Sequence, residues 1–252
     1  MTLLDGKTVV ITGGIGGIGL AASTLFHAEG AIVHSIDRDV AAPGTLPPAF
    51  ADGRFTAHRA DVTKREQLAE VMAAITMDSP VIDVLICNAG ISGEVADVAT
   101  YPPEVFANVI DVHVMGTFNT VQTALPFIPN NGSIIITSSV TGLIGPPRVS
   151  AYATAKHAQV GFMKSLAAEL APRGIRVNTV NPGPVNNEFQ NDIEKRTTGL
   201  ETGGANAVFN DLIPLGRHAE TEEVAQAMLF LAGPHSLMIT STTFRVDGGM
   251  AG

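Results

Sequence analysis

The run "KTVVITGGIGGIGLAASTLFHAEG", Lys7–Gly30, decides how this chain folds. Lys7–Thr12 is a β-branched apolar run that reads as a strand, and Gly17–Glu29 carries a helical pattern. Between them lies "TGGIGGIG", Thr12–Gly19. Its glycines fit G-x-G-x-x-G at Gly14, Gly16 and Gly19, and also T-G-x-x-x-G-x-G at Thr12, Gly13, Gly17 and Gly19. Glycines allow a tight turn and a close backbone approach to a pyrophosphate. The helix start adds unpaired N–H groups and a positive dipole end. A glycine pattern alone fits a flexible loop equally well; its place between a strand and a helix makes it a predicted nucleotide site.

Outward from this turn, short apolar runs keep alternating with helical patterns. Strands are predicted at Ala31–Ile36, Phe55–Ala60, Val81–Cys87, Ser133–Thr137, Ile175–Val180 and Thr242–Val246. Helices are predicted at Lys64–Ile75, about Pro103–Leu125, Ser150 to about Ala171, and Thr221–Ala232. Such alternation implies parallel βαβ units, hence an α/β fold: one Rossmann-type, doubly wound parallel sheet of about seven strands with helices on both faces. The whole chain, 1–252, is expected to be a single domain. Two segments read as irregular. Ala41–Gly53 is rich in Pro and Gly and leaves little room for a crossover helix. Asn186–Pro214 is polar and contains glycine, and is expected to be a substrate loop or lid.

Composition narrows the function classes. Hydrophobic residues make up 45% of the chain and charged residues 15%, so a large core can be buried and part of the surface is expected to face sister subunits. The net charge is −9 with no basic run, which argues against a nucleic-acid partner. A single cysteine, Cys87, and the lack of a signal-peptide pattern predict a reducing, cytoplasmic setting. Val112–Pro147 contains no Asp, Glu, Lys or Arg, but polar residues, Gly and Pro interrupt it, so no membrane span is expected. No metal site is expected.

The second strand ends in "HSIDRD", which places Asp37 where a carboxylate accepts hydrogen bonds from ribose hydroxyls and repels a 2′-phosphate. Arg38 beside it is the one local residue suited to such a phosphate, so NAD is favoured and NADP is the less favoured alternative. "SAYATAK", Ser150–Lys156, puts Tyr152 one helical turn before Lys156 on the same face. Alone, that pair is more often a packed aromatic beside a solvated lysine.

The motifs together change that reading. In order along the chain come "TGGIGGIG", "ADV" (Ala60–Val62), "CNAG" (Cys87–Gly90), "ITSSVTG" (Ile136–Gly142), "YATAK" (Tyr152–Lys156), "NPGPV" (Asn181–Val185) and "VDGG" (Val246–Gly249). Over essentially its full length the chain resembles the short-chain dehydrogenase/reductase family. The resemblance implies NAD(P)-dependent hydride transfer and a homo-oligomer, usually a tetramer. It implies that Gly13, Ile15, Gly17, Ile18 and Gly19 hold the cofactor together with Asp37. It places Asp61 and Val62 at the adenine ring, and Asn88, Ala89 and Gly90 on the adenosine side. Pro182 and Gly183 are implied to face the nicotinamide, with Val185 at its carboxamide. Ser139, thirteen residues before Tyr152, matches the catalytic serine, and Ser138 is the less favoured neighbour. Tyr152 matches the general acid/base and Lys156 its assistant, which also holds the ribose.

Free tyrosine is a poor base near neutrality, with a pKa of about 10. The Lys156 ammonium and the oxidised nicotinamide are expected to lower it, by about three units for roughly 4 kcal/mol. Two departures from the family pattern bear on the chemistry. In "IDVHVMGTF", His113 stands where relatives usually carry asparagine. It either replaces that asparagine in a proton relay from the lysine or is a buried neutral imidazole bonded to backbone. After "NPGPV", Asn186 and Asn187 replace the usual x-Thr, and Asn187 is expected to contact the cofactor through its amide. The leading expectation is an NAD-dependent oxidoreductase acting on a small secondary alcohol or its ketone. The alternatives are an NADPH-dependent 3-oxoacyl-type reductase and a non-catalytic dinucleotide sensor.

Overall fold

Seven strands line up in the order β3-β2-β1-β4-β5-β6-β7, all parallel: β1 Thr8–Thr12, β2 Ile32–Asp37, β3 Phe55–Arg59, β4 Val84–Cys87, β5 Ser133–Thr137, β6 Arg176–Pro182 and β7 Thr243–Val246. The computed structural model describes residues 2–39 and 46–252. Because side chains alternate across a strand, β1 sends Val10 to one face of the sheet and Val9 and Ile11 to the other. All three are fully buried, as expected where helices cover both faces.

Helices α1 (Gly17–Ala28) and α8 (Thr221–Ala232) cover the Val9–Ile11 face, burying Ala22, Phe26, Val224 and Met228. Helices α2 (Arg65–Asp78), α4 (Gly116–Ala124) and α5 (Ser150–Leu170) cover the other, with Leu68, Met72, Val121 and Met163 in its core. Strand order reverses between β1 and β4. In such sheets the crevice at the carboxyl ends of the strands at this switch point is where ligands bind.

The seven predicted strands are all present within a few residues of their expected limits, and the fold is the expected single Rossmann-type domain. Three segments differ or add detail. The helix expected over Pro103–Leu125 is α3 (Pro103–Ile110) and α4, joined by a π-helical turn, Asp111–Met115, with His113 at its centre. Within the Pro-rich Ala41–Gly53 segment only a 3₁₀ turn, Pro48–Asp52, forms among the described residues; residues 41–45 lie outside them.

The segment expected to be irregular, Asn186–Pro214, is instead two helices, α6 (Glu188–Thr198) and α7 (Thr202–Asn210). Polar composition concealed them because a buried polar clasp helps to hold them. Glu194, fully buried on α6, meets His218 Nε2 at 2.6 Å and accepts from Gln190 Nε2 at 2.8 Å. His218 Nδ1 meets Asn210 Oδ1 of α7 at 2.7 Å, so one imidazole ties both helices to the segment leading into α8. Asn187 caps α6 by accepting from the Gln190 N–H, and Gly199 ends it at φ 73°.

Candidate active site

The first strand delivers Thr12 into the turn, where its hydroxyl accepts the backbone N–H groups of Asn88 (3.0 Å) and Ala89 (3.2 Å). That locks the β1–α1 turn to the end of β4. Asn88 Nδ2 donates to the Gly13 carbonyl at 3.2 Å. Gly13 has φ 67°, and a Cβ there would lie 3.0 Å from the Ala89 backbone. A Cβ on Gly19 would lie 1.9 Å from the Gly13 carbonyl oxygen. The N-cap of α1, Gly16, has no side-chain cap, so the first N–H groups of the helix have no side-chain acceptor there.

This turn opens onto a cavity of about 590 Å³ that runs along the strand ends. Gly13, Gly17, Ile18, Asp37, Asp61, Val62, Asn88, Ala89 and Gly90 line it. Ile15 and Gly19 do not line it. The Ile15 backbone N–H acts on the Asp37 carboxylate, and Gly19 is buried where α1 meets the turn. Burial raises the Asp37 pKa, opposed by the N–H groups of Asp39, Arg38 and Ile15. An uncapped helix N-terminus, a turn without side chains and a carboxylate at the end of β2 together fit a dinucleotide.

Along the same cavity, β5 is followed by Ser138 and Ser139. The Ser138 hydroxyl donates to the Lys156 carbonyl at 3.0 Å and so is committed to the α5 backbone. Ser139 caps the 3₁₀ turn Val140–Gly142, and Asn181 Nδ2 holds its carbonyl at 2.8 Å. Tyr152 and Lys156 sit on the first two turns of α5, and all three expected catalytic side chains line the cavity. Lys156 is almost fully buried. Its Nζ lies 5.3 Å from the Tyr152 ring centroid and donates to the Thr137 carbonyl at 2.7 Å.

Desolvation dominates the electrostatics here. Burial pushes the Tyr152 phenol up to about 12, with the Ser139 hydroxyl pulling it the other way, and it lowers Lys156 to about 7. The protein alone therefore holds Tyr152 neutral and protonated.

His113 packs edge-on against Tyr152, with ring centroids 5.4 Å apart. Its Nε2 lies 2.7 Å from the Ile91 carbonyl and 3.1 Å from the Ile91 N–H. Nε2 is thus engaged by Ile91 alone, accepting its N–H and facing its carbonyl. Nδ1 is buried without a partner. Burial first, and the Lys156 charge second, lower His113 to about 3, against the opposing Ile91 contact. The ring fits only because residue 90 is glycine: a Cβ there would lie 2.4 Å from His113 Cε1. The His113 carbonyl is taken by Thr117 Oγ1 (2.6 Å) and Gln159 Nε2 (3.0 Å).

Pro182, Gly183, Val185 and Asn187 also line the cavity. Gly183 is pressed against Asp247, 3.0 Å from a would-be Cβ to its Cα. Asn187 spends Oδ1 on the α6 cap while its Nδ2 faces Gly17. From the expected substrate segment, Phe189, Phe209 and Leu212 line the cavity, whereas Leu200 does not. Sequence reasoning did not assign roles to Thr12, to the Thr137 carbonyl that holds Lys156, or to Met250, which lines the cavity near the C-terminus. Thr12 and Asn181 both sit inside motifs that were recognised; a backbone carbonyl leaves no sequence signal. Among the described residues no group of three or more His, Cys, Asp or Glu side chains is placed to hold a metal, and no helix is long and apolar enough to cross a membrane.

Comparison with known proteins agrees with this geometry. Residues 13–251 match a family model described as enoyl-(acyl carrier protein) reductase. The chain is 36% identical to the 3-oxoacyl-[acyl-carrier-protein] reductase of Thermotoga maritima, over 98% of each chain. It is 33% identical to the D-beta-hydroxybutyrate dehydrogenase of Rhizobium meliloti, over 96% of this chain and 98% of the other. Carveol dehydrogenase from Mycobacterium avium, solved in complex with NAD, superposes with a TM-score of 0.89 at 26% identity over 99% of each chain. With the crossover order, the glycine turn and the Ser139–Tyr152–Lys156 constellation in place, the chain belongs to the short-chain dehydrogenase/reductase family of oxidoreductases.

Proposed function

We propose that this protein is an NAD-dependent oxidoreductase that interconverts a secondary alcohol and its ketone, with Tyr152 as the general acid/base. The observation that carries this reading is that Ser139, Tyr152 and Lys156 meet at one end of a groove whose other end is built for a dinucleotide. Bound nicotinamide dinucleotide supplies the hydride acceptor or donor and, when oxidised, a positive charge. The chain supplies the rest. Ser139 donates a hydrogen bond to the substrate oxygen and stabilises charge developing there. Tyr152 takes the hydroxyl proton in oxidation and returns it in reduction.

Bringing the phenol from about 12 to near 7 requires about 7 kcal/mol of differential stabilisation. One unit charge about 5 Å away at an effective dielectric of about 20 contributes about 3 kcal/mol. Lys156, whose Nζ lies 5.3 Å from the ring centroid and whose own pKa burial lowers to about 7, covers at most about half. The oxidised cofactor's charge is the other contribution, which couples proton abstraction to a loaded groove. A cofactor-reduction assay over a panel of secondary alcohols, with NAD⁺ and NADP⁺ in parallel, tests the reading. Tight cofactor binding without turnover would favour a sensor, and preference for NADP⁺ would favour the 3-oxoacyl-type reductase.

Asp37 supports the choice of NAD. Its half-buried carboxylate closes the ribose end of the groove, and Arg38 is drawn to Asp39 (3.5 Å). A 2′-phosphate beside it would meet like-charge repulsion of about 3 kcal/mol. The expected kcat/KM ratio of NAD⁺ over NADP⁺ is about 100-fold, and Asp37→Ser is expected to bring it below about 5-fold. An unchanged ratio in the variant would place the discrimination elsewhere.

For His113 the geometry supports positioning rather than proton relay. Nε2 is spent on Ile91, the ring stays neutral at any working pH, and Nδ1 is sealed from solvent. An asparagine amide can donate to the Ile91 carbonyl and accept from its N–H at once. His113→Asn is therefore expected to keep kcat within about 3-fold and leave the pH–rate profile unchanged. A shift of the profile by a full unit in that variant would restore the relay.

A further inference from the structure

Among the described residues lining the cavity, the Lys and Arg side chains are Arg38, at the cofactor end, and Lys156, and this points to the chemistry of the substrate. Its walls are apolar: Pro146, Val149, Phe189, Ile193, Phe209 and Leu212. Phe189 stands 6.2 Å from the Tyr152 ring, centroid to centroid. Phe189 and Leu212 remain 38% and 56% exposed, apolar surface that a hydrocarbon ligand would cover.

The segments that supply these walls carry four Lys or Arg residues, and each has a carboxylate partner within 4 Å. Arg196 is held by Asp192 (2.5 Å) and Glu94 (3.7 Å), with further bonds to Ser92 Oγ and the Gly93 carbonyl. Lys195 pairs with Glu201 (3.2 Å), Arg217 with Glu223 (2.7 Å) and Arg148 with Asp97 (3.8 Å). Lys156 is tied to the Thr137 carbonyl, and His113 is neutral. Among the neutral polar groups that line the cavity, Gln190 Nε2 donates to Glu194 and Thr197 Oγ1 donates to the Ile193 carbonyl, whereas Thr141 Oγ1 is buried without a partner. Burying a carboxylate or phosphate without a paired cation is strongly unfavourable, and unmatched hydroxyls carry a smaller penalty of the same kind.

We propose, resting on the oxidoreductase reading above, that the substrate is a neutral, predominantly hydrocarbon secondary alcohol or ketone that carries no anionic group. Carboxylate- and phosphate-bearing substrates are excluded, which separates this chain from the relative named for D-beta-hydroxybutyrate.

The test titrates NAD⁺-loaded protein with matched ketone pairs, each a keto acid and its methyl ester, from four-carbon chains to substituted cyclohexanones. Oxidised cofactor cannot reduce a ketone, so the titration reads binding without turnover. Turnover of the same esters with NADH is measured separately, so a failed oxidoreductase reading appears as binding without reaction. The expected result is that at least one ester binds about 30-fold or more tightly than its acid at pH 8. If no ester binds more tightly than its acid, the proposal is overturned. The double variant Glu94→Gln with Asp192→Asn frees Arg196, and is expected to reduce the ester-to-acid ratio at least about 5-fold. A ratio that does not move would overturn the account based on paired cations.

Discussion

Tyr152→Phe is expected to lower kcat by about 10³- to 10⁴-fold while leaving the Kd for NAD⁺ within about 3-fold. The substitution removes one oxygen and keeps the ring, so the contacts to His113 and Phe189 survive, at centroid distances of 5.4 Å and 6.2 Å. What is lost is the phenolic hydroxyl that would carry the proton at the substrate end. Ser139 has its hydroxyl oriented by the Thr141 N–H, Lys156 sits behind the phenol, and the His113 imidazole is turned to Ile91. In the wild type, oxidation is expected to speed up with rising pH, because deprotonation of Tyr152 must be won from a value burial has raised to about 12. In Tyr152→Phe that limb should disappear from whatever residual rate is left. Stopped-flow absorbance at the nicotinamide band, with fluorescence titration of NAD⁺, reads both quantities. A variant that keeps a tenth of the wild-type rate would require another base.

The legible parts of this molecule are those written in short runs of neighbouring residues. Parallel strands buried on both faces have apolar centres, so β1, β4 and β5 stand out in the sequence as they do in the sheet. The glycine turn and the Tyr152–Lys156 pair are similarly local. What was hidden depends on partners distant in sequence. Helix α6 reads as loop because its inward face carries Glu194, and only the approach of His218, twenty-four residues away, makes burial of that carboxylate tolerable. The rise in the Tyr152 pKa was equally invisible, since desolvation is a property of the packed cavity. His113 lies between these cases. Its departure from asparagine is visible in the sequence, but its meaning depends on Gly90 and Ile91, which only the fold brings against it.

Gly16 and Gly19 belong to the same motif, yet alanine at each is expected to fail in a different way. At Gly19 a Cβ would lie 1.9 Å from the Gly13 carbonyl oxygen and 2.8 Å from Asn88 Nδ2. The nearer atom is backbone in a turn that Thr12 pins to β4, so α1 itself must shift. Overpacking of this kind costs about 3 kcal/mol, which in a chain of this size lowers the melting temperature by roughly 6–12 °C even without cofactor. Gly16 has an extended backbone, φ −146° and ψ 158°, that any residue adopts, and its Cβ would meet nothing within 4 Å. Gly16→Ala should therefore melt within about 1 °C of wild type. The open space it would enter is the groove itself, in front of the uncapped N–H groups of α1. NAD⁺ affinity is expected to fall at least about 10-fold through loss of close approach to the phosphates. Calorimetry of the apo variants and titration with NAD⁺ separate the two cases. If Gly19→Ala melts like wild type, the helix can retreat at little cost and the packing role given to Gly19 is wrong. If Gly16→Ala binds NAD⁺ normally, the phosphates do not pass in front of the α1 N-terminus, and the dinucleotide path along the strand ends must be redrawn.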